Sequence, residues 1–196
     1  MDLSICLAQR GVLIEDDEFL IERCRHGDEK AFEELFQRYS QKIYSLAYRI
    51  TANQQESEDI LQNTFLRAYE HIIGCRKISN FYPWLCRVAI NLTVDYHRSL
   101  HPNESTEGVE NDIELSTNSV WGNPESELEN KELGEYINAA IEELPIRQRE
   151  VFTLKNLEGL SHKDIAIVLG CSEDAVRANL YQAVRKLREK LKKYLS

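Results

Sequence analysis

The amino-acid sequence predicts an all-α protein made of two small helical domains joined by an acidic, flexible linker. Apolar residues recur at helical spacing over residues 17–99 and again over 131–191. Between these stretches, residues 102–130 lose the period and contain eight acids but no lysine or arginine. No segment has a strand pattern of convincing length. We therefore expect a loose leader at 1–16, domains at 17–99 and 131–196, and a linker at 100–130.

The N-terminal half is predicted to form four helices. Asp17 can cap the first, which stops at Gly27, and Asp28 can cap a long second helix. The third is expected to follow Ser57, and the fourth to begin near Pro83, since proline is tolerated in a first turn. Four helices with short connections favour a compact bundle. The second helix has the longest apolar face, predicted to contain Ala31, Phe32, Leu35, Phe36, Tyr39, Ile43, Leu46, Ala47 and Ile50.

In the C-terminal half, the helical pattern resumes at Leu133, is interrupted at Pro145 and ends in two helices joined by a tight turn. Ser161 and Asp164 have the spacing of a capping box at the start of the first of these helices. Gly170 suits the left-handed position after it, and Ser172 can cap the second. The second helix has an apolar stripe formed by Val176, Leu180, Val184, Leu187 and Leu191.

The opposite side of this last helix is rich in side chains that can bind DNA. Arginine pairs with guanine edges, and asparagine and glutamine pair with adenine edges. A helix of this type after a short glycine turn is typical of a recognition helix in the major groove. An ordinary helical hairpin with a solvated charged face has the same spacing, so the pattern alone leaves both interpretations open.

Net charge has to be considered by segment. The chain has a formal net charge of −9, but without residues 102–130 its 24 bases face 25 acids. Residues 172–196 contain seven bases and three acids, a local charge of +4. Basic residues are therefore concentrated at the last helix, where nucleic acid would bind, and acidic residues in the linker.

Several classes of protein are disfavoured. The chain has no apolar run of membrane-spanning length and no signal-peptide pattern, so we expect a cytoplasmic protein without membrane insertion. Its five cysteines are scattered without a Cys-x-x-Cys pair, which argues against a disulfide framework or a metal site. No phosphate loop or nucleophile–base signature is present, so we expect no enzyme activity, catalytic residue or cofactor.

Five stretches together resemble the extracytoplasmic-function sigma factors of bacterial RNA polymerase, which belong to the sigma-70 family. Any one stretch would be weak, but the whole set in this order and across a linker is specific. The resemblance covers residues 17–99 and 131–191, and it implies sigma domain 2 followed by sigma domain 4, a helix-turn-helix domain. The matching stretches are Gly27–Leu35, Asp59–Phe65, Phe81–Asn91, Leu144–Phe152 and Glu158–Ala166.

For the N-terminal half, the resemblance implies two surfaces. Asp59, Gln62 and Asn63 would contact the clamp helices of the polymerase's largest subunit. The loop at 74–80 and the fourth helix would recognise and melt the −10 promoter element, where a flipped base must be held. The residues implied in this second role are Arg76, Lys77, Ser79, Asn80, Trp84, Arg87, Asn91 and Arg98; Trp84 and Phe81 also fit a packed core.

For the C-terminal half, the resemblance places the last helix in the major groove of the −35 element. Asn179 and Gln182 stand where family members often carry arginine, and we therefore expect a shift towards adenine recognition. The residues implied in −35 binding are Ser172, Ala175, Arg177, Ala178, Asn179, Tyr181, Gln182, Arg185 and Lys186.

The resemblance also implies partners. They are core RNA polymerase, through its clamp helices and flap, promoter DNA, and a cognate anti-sigma factor. The acidic linker would pass through the basic active-site channel, where its carboxylates imitate nucleic acid and Trp121 is a candidate anchor; a plain solvated spacer is the alternative. The competing function for the chain is a helix-turn-helix regulator that binds duplex DNA without polymerase.

Overall fold

The computed structural model describes residues 16–75, 77–100 and 128–192, and in these ranges every regular element is a helix. The prediction of an all-α fold is confirmed. The N-terminal lobe, residues 16–100, contains α1 (Asp17–Arg25), α2 (Glu29–Thr51), α3 (Gln54–Ile73) and α4 (Phe81–Leu100). The C-terminal lobe, residues 128–192, contains α5 (Leu128–Glu142), α6 (Ile146–Phe152), a π-helical turn (Thr153–Leu157), α7 (His162–Leu169) and α8 (Glu173–Leu191).

Helix α2 is the centre of the N-terminal lobe and packs against α1, α3 and α4. Its 23 residues extend for about 35 Å, and its apolar stripe is buried along this whole length. Leu35, Ile43 and Leu46 are completely buried, as expected. Phe36 was predicted to be a core residue, but it is 39% exposed; its ring meets the Phe65 ring at an angle of 64°, with centroids 4.7 Å apart.

The start of α1 differs from the prediction by one residue. Asp17 was expected to be the N-cap, but Asp16 has the extended backbone of that position and Asp17 lies within the helix. Its carboxylate is therefore free to reach α2, where it accepts hydrogen bonds from Arg38 at 2.7 Å and Tyr39 at 2.5 Å. Asp28 caps α2 as predicted by accepting a hydrogen bond from the Lys30 amide at 3.1 Å.

Helix α3 begins earlier than expected. Asn53 is its N-cap and accepts a hydrogen bond from the Glu56 amide, whereas Ser57, after which the helix was predicted to start, is buried inside it. The Ser57 hydroxyl donates to the Asn53 carbonyl at 2.6 Å. This serine therefore hydrogen-bonds the first turn of α3 from inside the helix instead of capping it. Helix α4 begins at Phe81, and Pro83 lies in its first turn.

In the C-terminal lobe, α8 packs against α5, α6 and α7. Helix α5 begins at Leu128, within the stretch predicted to be linker. The apolar period that predicted this helix resumes only at Leu133, so its start was expected later in the sequence. One buried cluster joins α5 to α8 through Ala140, Ile141, Leu144, Ala183 and Leu187.

The two lobes contact each other. Helix α4 of the N-terminal lobe packs against α7 of the C-terminal lobe, and α2 contacts α5, α6 and the π-helical turn. A second buried cluster runs through both lobes and includes Leu85, Ala89, Leu154, Ile165 and Val168. The helices that carry the predicted DNA-binding residues therefore belong to one packed unit.

Candidate nucleic-acid and docking surfaces

Short-range hydrogen bonds build the turn before α8. The Ser161 hydroxyl accepts a hydrogen bond from the Asp164 amide at 3.1 Å and donates to the Asp164 carboxylate at 2.6 Å. Gly170 has φ of +64°, a left-handed conformation that side chains disfavour, and it turns the chain towards α8. Ser172 caps α8 by accepting from the Ala175 amide at 3.1 Å. These contacts confirm the predicted capping residues and fix the direction of α8.

The outward face of α8 is the best-formed candidate DNA surface. Ala178, Tyr181, Gln182 and Arg185 are spaced by three and four residues and are all exposed, with Tyr181 68% exposed. Gln182 accepts a hydrogen bond from Arg185 at 3.3 Å, so their polar groups lie together. The opposite side of α8 is held in the core by Val176, Ala183 and Leu187. Four of the nine predicted −35 residues therefore form one accessible stripe.

Asn179 and three other predicted residues lie off this stripe. Asn179 is half-buried, and its side-chain amide donates to the Ala175 carbonyl of its own helix at 2.9 Å. Ala175 and Lys186 are half-buried on the same flank, and the Ser172 hydroxyl is already used as a cap. Of the two residues predicted to favour adenine, only Gln182 is presented on the outward face.

Arg177 is exposed but engaged with acids of the first turn of α8. Its guanidinium lies 2.6 Å from Asp174 and 3.1 Å from Glu173. Solvent-exposed ion pairs of this kind contribute at most about 1 kcal/mol. A phosphate can therefore replace the carboxylates at low cost, which suits a phosphate contact better than a fixed base contact.

On α4, the predicted −10 residues Arg87, Asn91 and Arg98 are all exposed and separated by four and seven residues. This spacing places them on one side of the helix, away from the buried residues Leu85 and Ala89. On this stripe the two arginines could bind the phosphates of a single DNA strand, while the Asn91 amide between them contacts a base.

Trp84 lies beside this stripe and is half-buried. Its ring packs on His71, with centroids 4.7 Å apart, and is parallel to Phe81 at 6.5 Å. Phe81 itself is buried and only 3% exposed. Phe81 is thus a core residue, whereas Trp84 retains an accessible part that could stack on a base.

The loop between α3 and α4 exposes Lys77, Ser79 and Asn80, and the predicted residue Arg76 falls outside the described residues. A cavity of about 690 Å³ separates this loop from α1 and is lined by Lys77, Ile78 and Phe19, among others. Phe19 is 55% exposed. An exposed ring beside a lysine suits an unstacked base.

Helix α3 carries the predicted docking residues Asp59, Gln62 and Asn63, and all three are exposed on one side. Asn63 donates to the Asp59 carbonyl at 2.8 Å, which leaves the Asp59 carboxylate available to a partner. Leu66, Tyr69 and Ile73 extend the same side of the helix and are 57%, 40% and 44% exposed. Sequence reasoning missed this apolar extension, although Leu66 and Ile73, seven residues apart, lie outside the core stripe of α3.

The described ranges contain neither a membrane-spanning helix nor a metal-binding cluster. No helix there has both the length and the apolar character needed to cross a membrane. No group of three or more histidine, cysteine or acidic side chains in those ranges is arranged to hold a metal ion.

Comparison with known proteins identifies two family regions in the chain. Residues 35–101 match the family described as Sigma-70 region 2, and residues 134–187 match Sigma-70, region 4. The chain is 34% identical to the RNA polymerase sigma-H factor of Pseudomonas aeruginosa over 86% of its own length and 90% of that protein. It is also 34% identical to the ECF RNA polymerase sigma-E factor of Haemophilus influenzae, over 89% of this chain and 95% of that one.

Two solved structures share the fold. CnrH, solved in complex with the cytosolic domain of CnrY, has a TM-score of 0.65 at 23% identity and covers 90% of this chain and 97% of its own. The sigma factor RpoE from Bartonella quintana, solved with the anti-sigma factor NepR, has a TM-score of 0.68 at 20% identity. It covers 83% of this chain and 98% of its own. With both region matches and relatives of this identity and coverage, the chain belongs to the extracytoplasmic-function group of the sigma-70 family and is an RNA polymerase sigma factor.

Proposed function

We propose that three exposed helix faces divide the work of this sigma factor. The α3 face containing Asp59, Gln62 and Asn63 binds the clamp helices of core polymerase. The α4 stripe and the loop before it recognise and melt the −10 element, and the outward face of α8 binds the −35 element. The observation that supports this division most strongly is that each set is exposed on a different helix while the opposite sides of those helices are buried.

The corresponding domain assignment is residues 17–99 for polymerase docking and −10 recognition, 100–130 for the linker and 131–196 for −35 recognition. The chain supplies specificity and binding energy to the polymerase and catalyses no bond formation itself. It works in the cytoplasm, where core polymerase and promoter DNA are found. A cognate anti-sigma factor is a further proposed partner, since CnrH and RpoE were both solved in complex with another protein.

In vitro transcription with core polymerase, followed by mapping of start sites, tests the function as a whole. We expect specific transcripts only when the chain and core enzyme are both present. The competing helix-turn-helix regulator makes the opposite prediction, namely a footprint on duplex DNA without polymerase. Such a footprint, or co-migration with core enzyme without any transcript, would contradict the proposal.

Asp59→Lys tests the docking face. It reverses an exposed charge without touching the core, so the free energy of unfolding should change by less than about 0.5 kcal/mol. We expect the dissociation constant for core polymerase to rise by at least about tenfold, because like charges facing each other at an interface cost several kcal/mol. Glu33→Lys, an exposed change of the same charge on α2, is the matched control and should leave binding unchanged.

The acidic linker is proposed to imitate nucleic acid in the polymerase channel. Replacing its eight acids by glutamine or asparagine keeps the length and removes the charge. If growing RNA has to displace these carboxylates, the neutral linker should be displaced more easily, and the ratio of abortive to full-length transcripts should fall by at least about twofold, a change of about 0.4 kcal/mol. An unchanged ratio would favour the plain spacer.

A further inference from the structure

The cavity between α1 and the loop that joins α3 to α4 has an apolar wall that the three binding faces leave uncovered. Its volume is about 690 Å³, and Phe19, Ile21 and Ile78 form this wall. Ile21 and Ile78 also pack against the core, whereas the Phe19 side chain is 55% exposed. A concave site of this volume with an aromatic ring and two aliphatic side chains is of the kind that takes up an apolar ligand.

The charges around the cavity limit the kind of occupant further. Three carboxylates line it, from Asp16, Glu18 and Glu22, against two cations, from Arg25 and Lys77. The Arg25 guanidinium already lies 2.9 Å from the Glu22 carboxylate. A phosphate inside the cavity would therefore meet more negative than positive charge, and like charges repel. The lining favours an apolar segment that carries a cation over one that carries phosphate.

The sequence directly before α1 has this character. Residues 1–15 lie outside the described ranges, and Asp16, the first described residue, is itself part of the cavity lining. The chain that precedes Asp16 therefore starts at the cavity wall. Its residues 12–14 are valine, leucine and isoleucine, and Arg10 stands just before them. A run of three aliphatic residues next to a cation matches both the apolar wall and the excess of carboxylates.

This run is also long enough to cover the cavity. The Asp16 backbone is extended, with φ −67° and ψ 147°. An extended chain advances about 3.5 Å per residue, so Val12 can lie up to about 14 Å from Asp16. A rounded cavity of 690 Å³ is about 11 Å across. Residues 12–14 can therefore reach across it while Asp16 keeps its place at the start of α1.

We propose that Val12, Leu13 and Ile14 dock in this cavity and cover the Phe19 ring, so that the chain carries its own ligand for the site. The docked run competes with an unstacked base of the −10 element for Phe19 and thereby weakens −10 recognition. This competition rests on the proposed function, because it requires the loop before α4 to lie at the −10 element. The docking itself does not depend on that function.

A native thiol reports whether the cavity is covered. Cys75 lines the cavity and is exposed among the described residues, and Cys171 is exposed in the C-terminal lobe. Cys24 and Cys86 are buried. In a chain carrying Cys6→Ser, the rate at which a maleimide labels Cys75 can therefore be measured against Cys171 as an internal reference.

Leu13→Asn tests the docking, because it removes an apolar contact without adding charge and lies outside both helical lobes. We expect Cys75 to be labelled at least about fivefold faster in this variant, since burial of one aliphatic side chain shifts an equilibrium by at least that factor. Leu3→Asn, the same substitution earlier in the leader, is the matched control and should leave the rate unchanged.

Phe19→Ala removes the other side of the contact and should accelerate the labelling of Cys75 to a similar extent. In the Phe19→Ala background, Leu13→Asn should add less than about twofold, because two side chains that contact each other have non-additive effects. Since Phe19 is largely exposed, its loss leaves the core of the lobe intact.

DNA binding tests the competition. The probe is a single-stranded oligonucleotide that carries the non-template −10 sequence of a promoter mapped by the transcription experiment above, bound to the holoenzyme. The dissociation constant for this probe should fall at least about threefold in Leu13→Asn, because a site that is free for only a fraction of the time binds its ligand more weakly by that fraction. Leu3→Asn should again match the unmodified chain.

Equal labelling rates of Cys75 in the unmodified chain and in Leu13→Asn would overturn the docking. Protection of Cys75 that increases with protein concentration would overturn it as well, since the occupant would then come from a second copy. Faster labelling of Leu13→Asn combined with unchanged DNA binding would overturn the competition. If the unmodified holoenzyme bound no −10 oligonucleotide, the proposed function would fail, and the labelling rates would still decide the docking.

Discussion

Arg149 is a buried cation whose hydrogen bonds hold three backbone segments together. Besides the Ile50 carbonyl, its guanidinium donates to the carbonyls of Leu144, at 3.2 Å, and Glu142. Burial lowers the pKa of Arg149 to about 10, partly offset by Glu142 and Glu150, so the side chain remains charged at neutral pH. The planar guanidinium suits this position because it carries several N–H donors. Without them, the backbone carbonyls would be buried without a hydrogen bond, which is costly.

Arg149→Met tests this role. The apolar side chain fills similar space but leaves carbonyls without a donor, so the free energy of unfolding should fall by about 2–4 kcal/mol. Urea denaturation followed by circular dichroism measures the loss. Arg67→Met, at an exposed position of α3, is the control and should change the free energy of unfolding by less than about 0.5 kcal/mol. Equal stability of the two variants would show that the buried guanidinium does not hold the segments together.

At the scale of the element, α8 illustrates how a helix separates structural residues from the proposed recognition residues. Its apolar stripe is buried, its first turn is capped by Ser172, and its outward face retains Tyr181, Gln182 and Arg185. The helix dipole also favours the acids Glu173 and Asp174 in this first turn. These acids hold Arg177, so we propose that base recognition falls to the residues further along the helix.

Gln182→Ala tests adenine recognition by α8. A bidentate side-chain contact to a base contributes about 1–3 kcal/mol of discrimination. We therefore expect the preference for adenine at one position of the −35 element to fall by about fivefold or more in a binding selection with holoenzyme. Glu189→Ala, an exposed change two turns further along α8, should leave the preference unchanged. Selection of guanine opposite Gln182 in the unmodified protein would contradict the expectation.

At the scale of the whole molecule, the proposed assignment of the two lobes to the −10 and −35 elements requires a linker long enough for both to bind. Deleting residues 105–118 leaves a connection of about 45 Å at full extension. Transcription from promoters that need both elements should fall by at least about tenfold, while binding to core polymerase through the N-terminal lobe persists. Replacing the same residues by glycine and serine at equal length separates length from charge and should restore much of the activity.

The elements of this protein follow from local chemistry. Helical periodicity predicted α2 and α8, and the caps at Asp28, Ser161 and Ser172 were found where serine and aspartate preceded an apolar stripe. The errors at Asp17 and Ser57 have a common cause, because a polar residue near a helix start can serve either as the cap or from inside the first turn. Which of the two occurs depends on partners such as Arg38 that are distant in sequence.

The sequence by itself determined the all-α class, the helix-turn-helix and the family, because these depend on periodicity, capping and short motifs within a few residues. Only the tertiary structure decided that Asn179 turns back to its own helix, that Leu66 and Ile73 extend the proposed docking face, and that Tyr82 meets Glu158 across the lobes. Residues 82 and 158 are 76 positions apart, and no local pattern encodes a contact of that range. Long-range packing selects it from the many arrangements that the same helices could adopt.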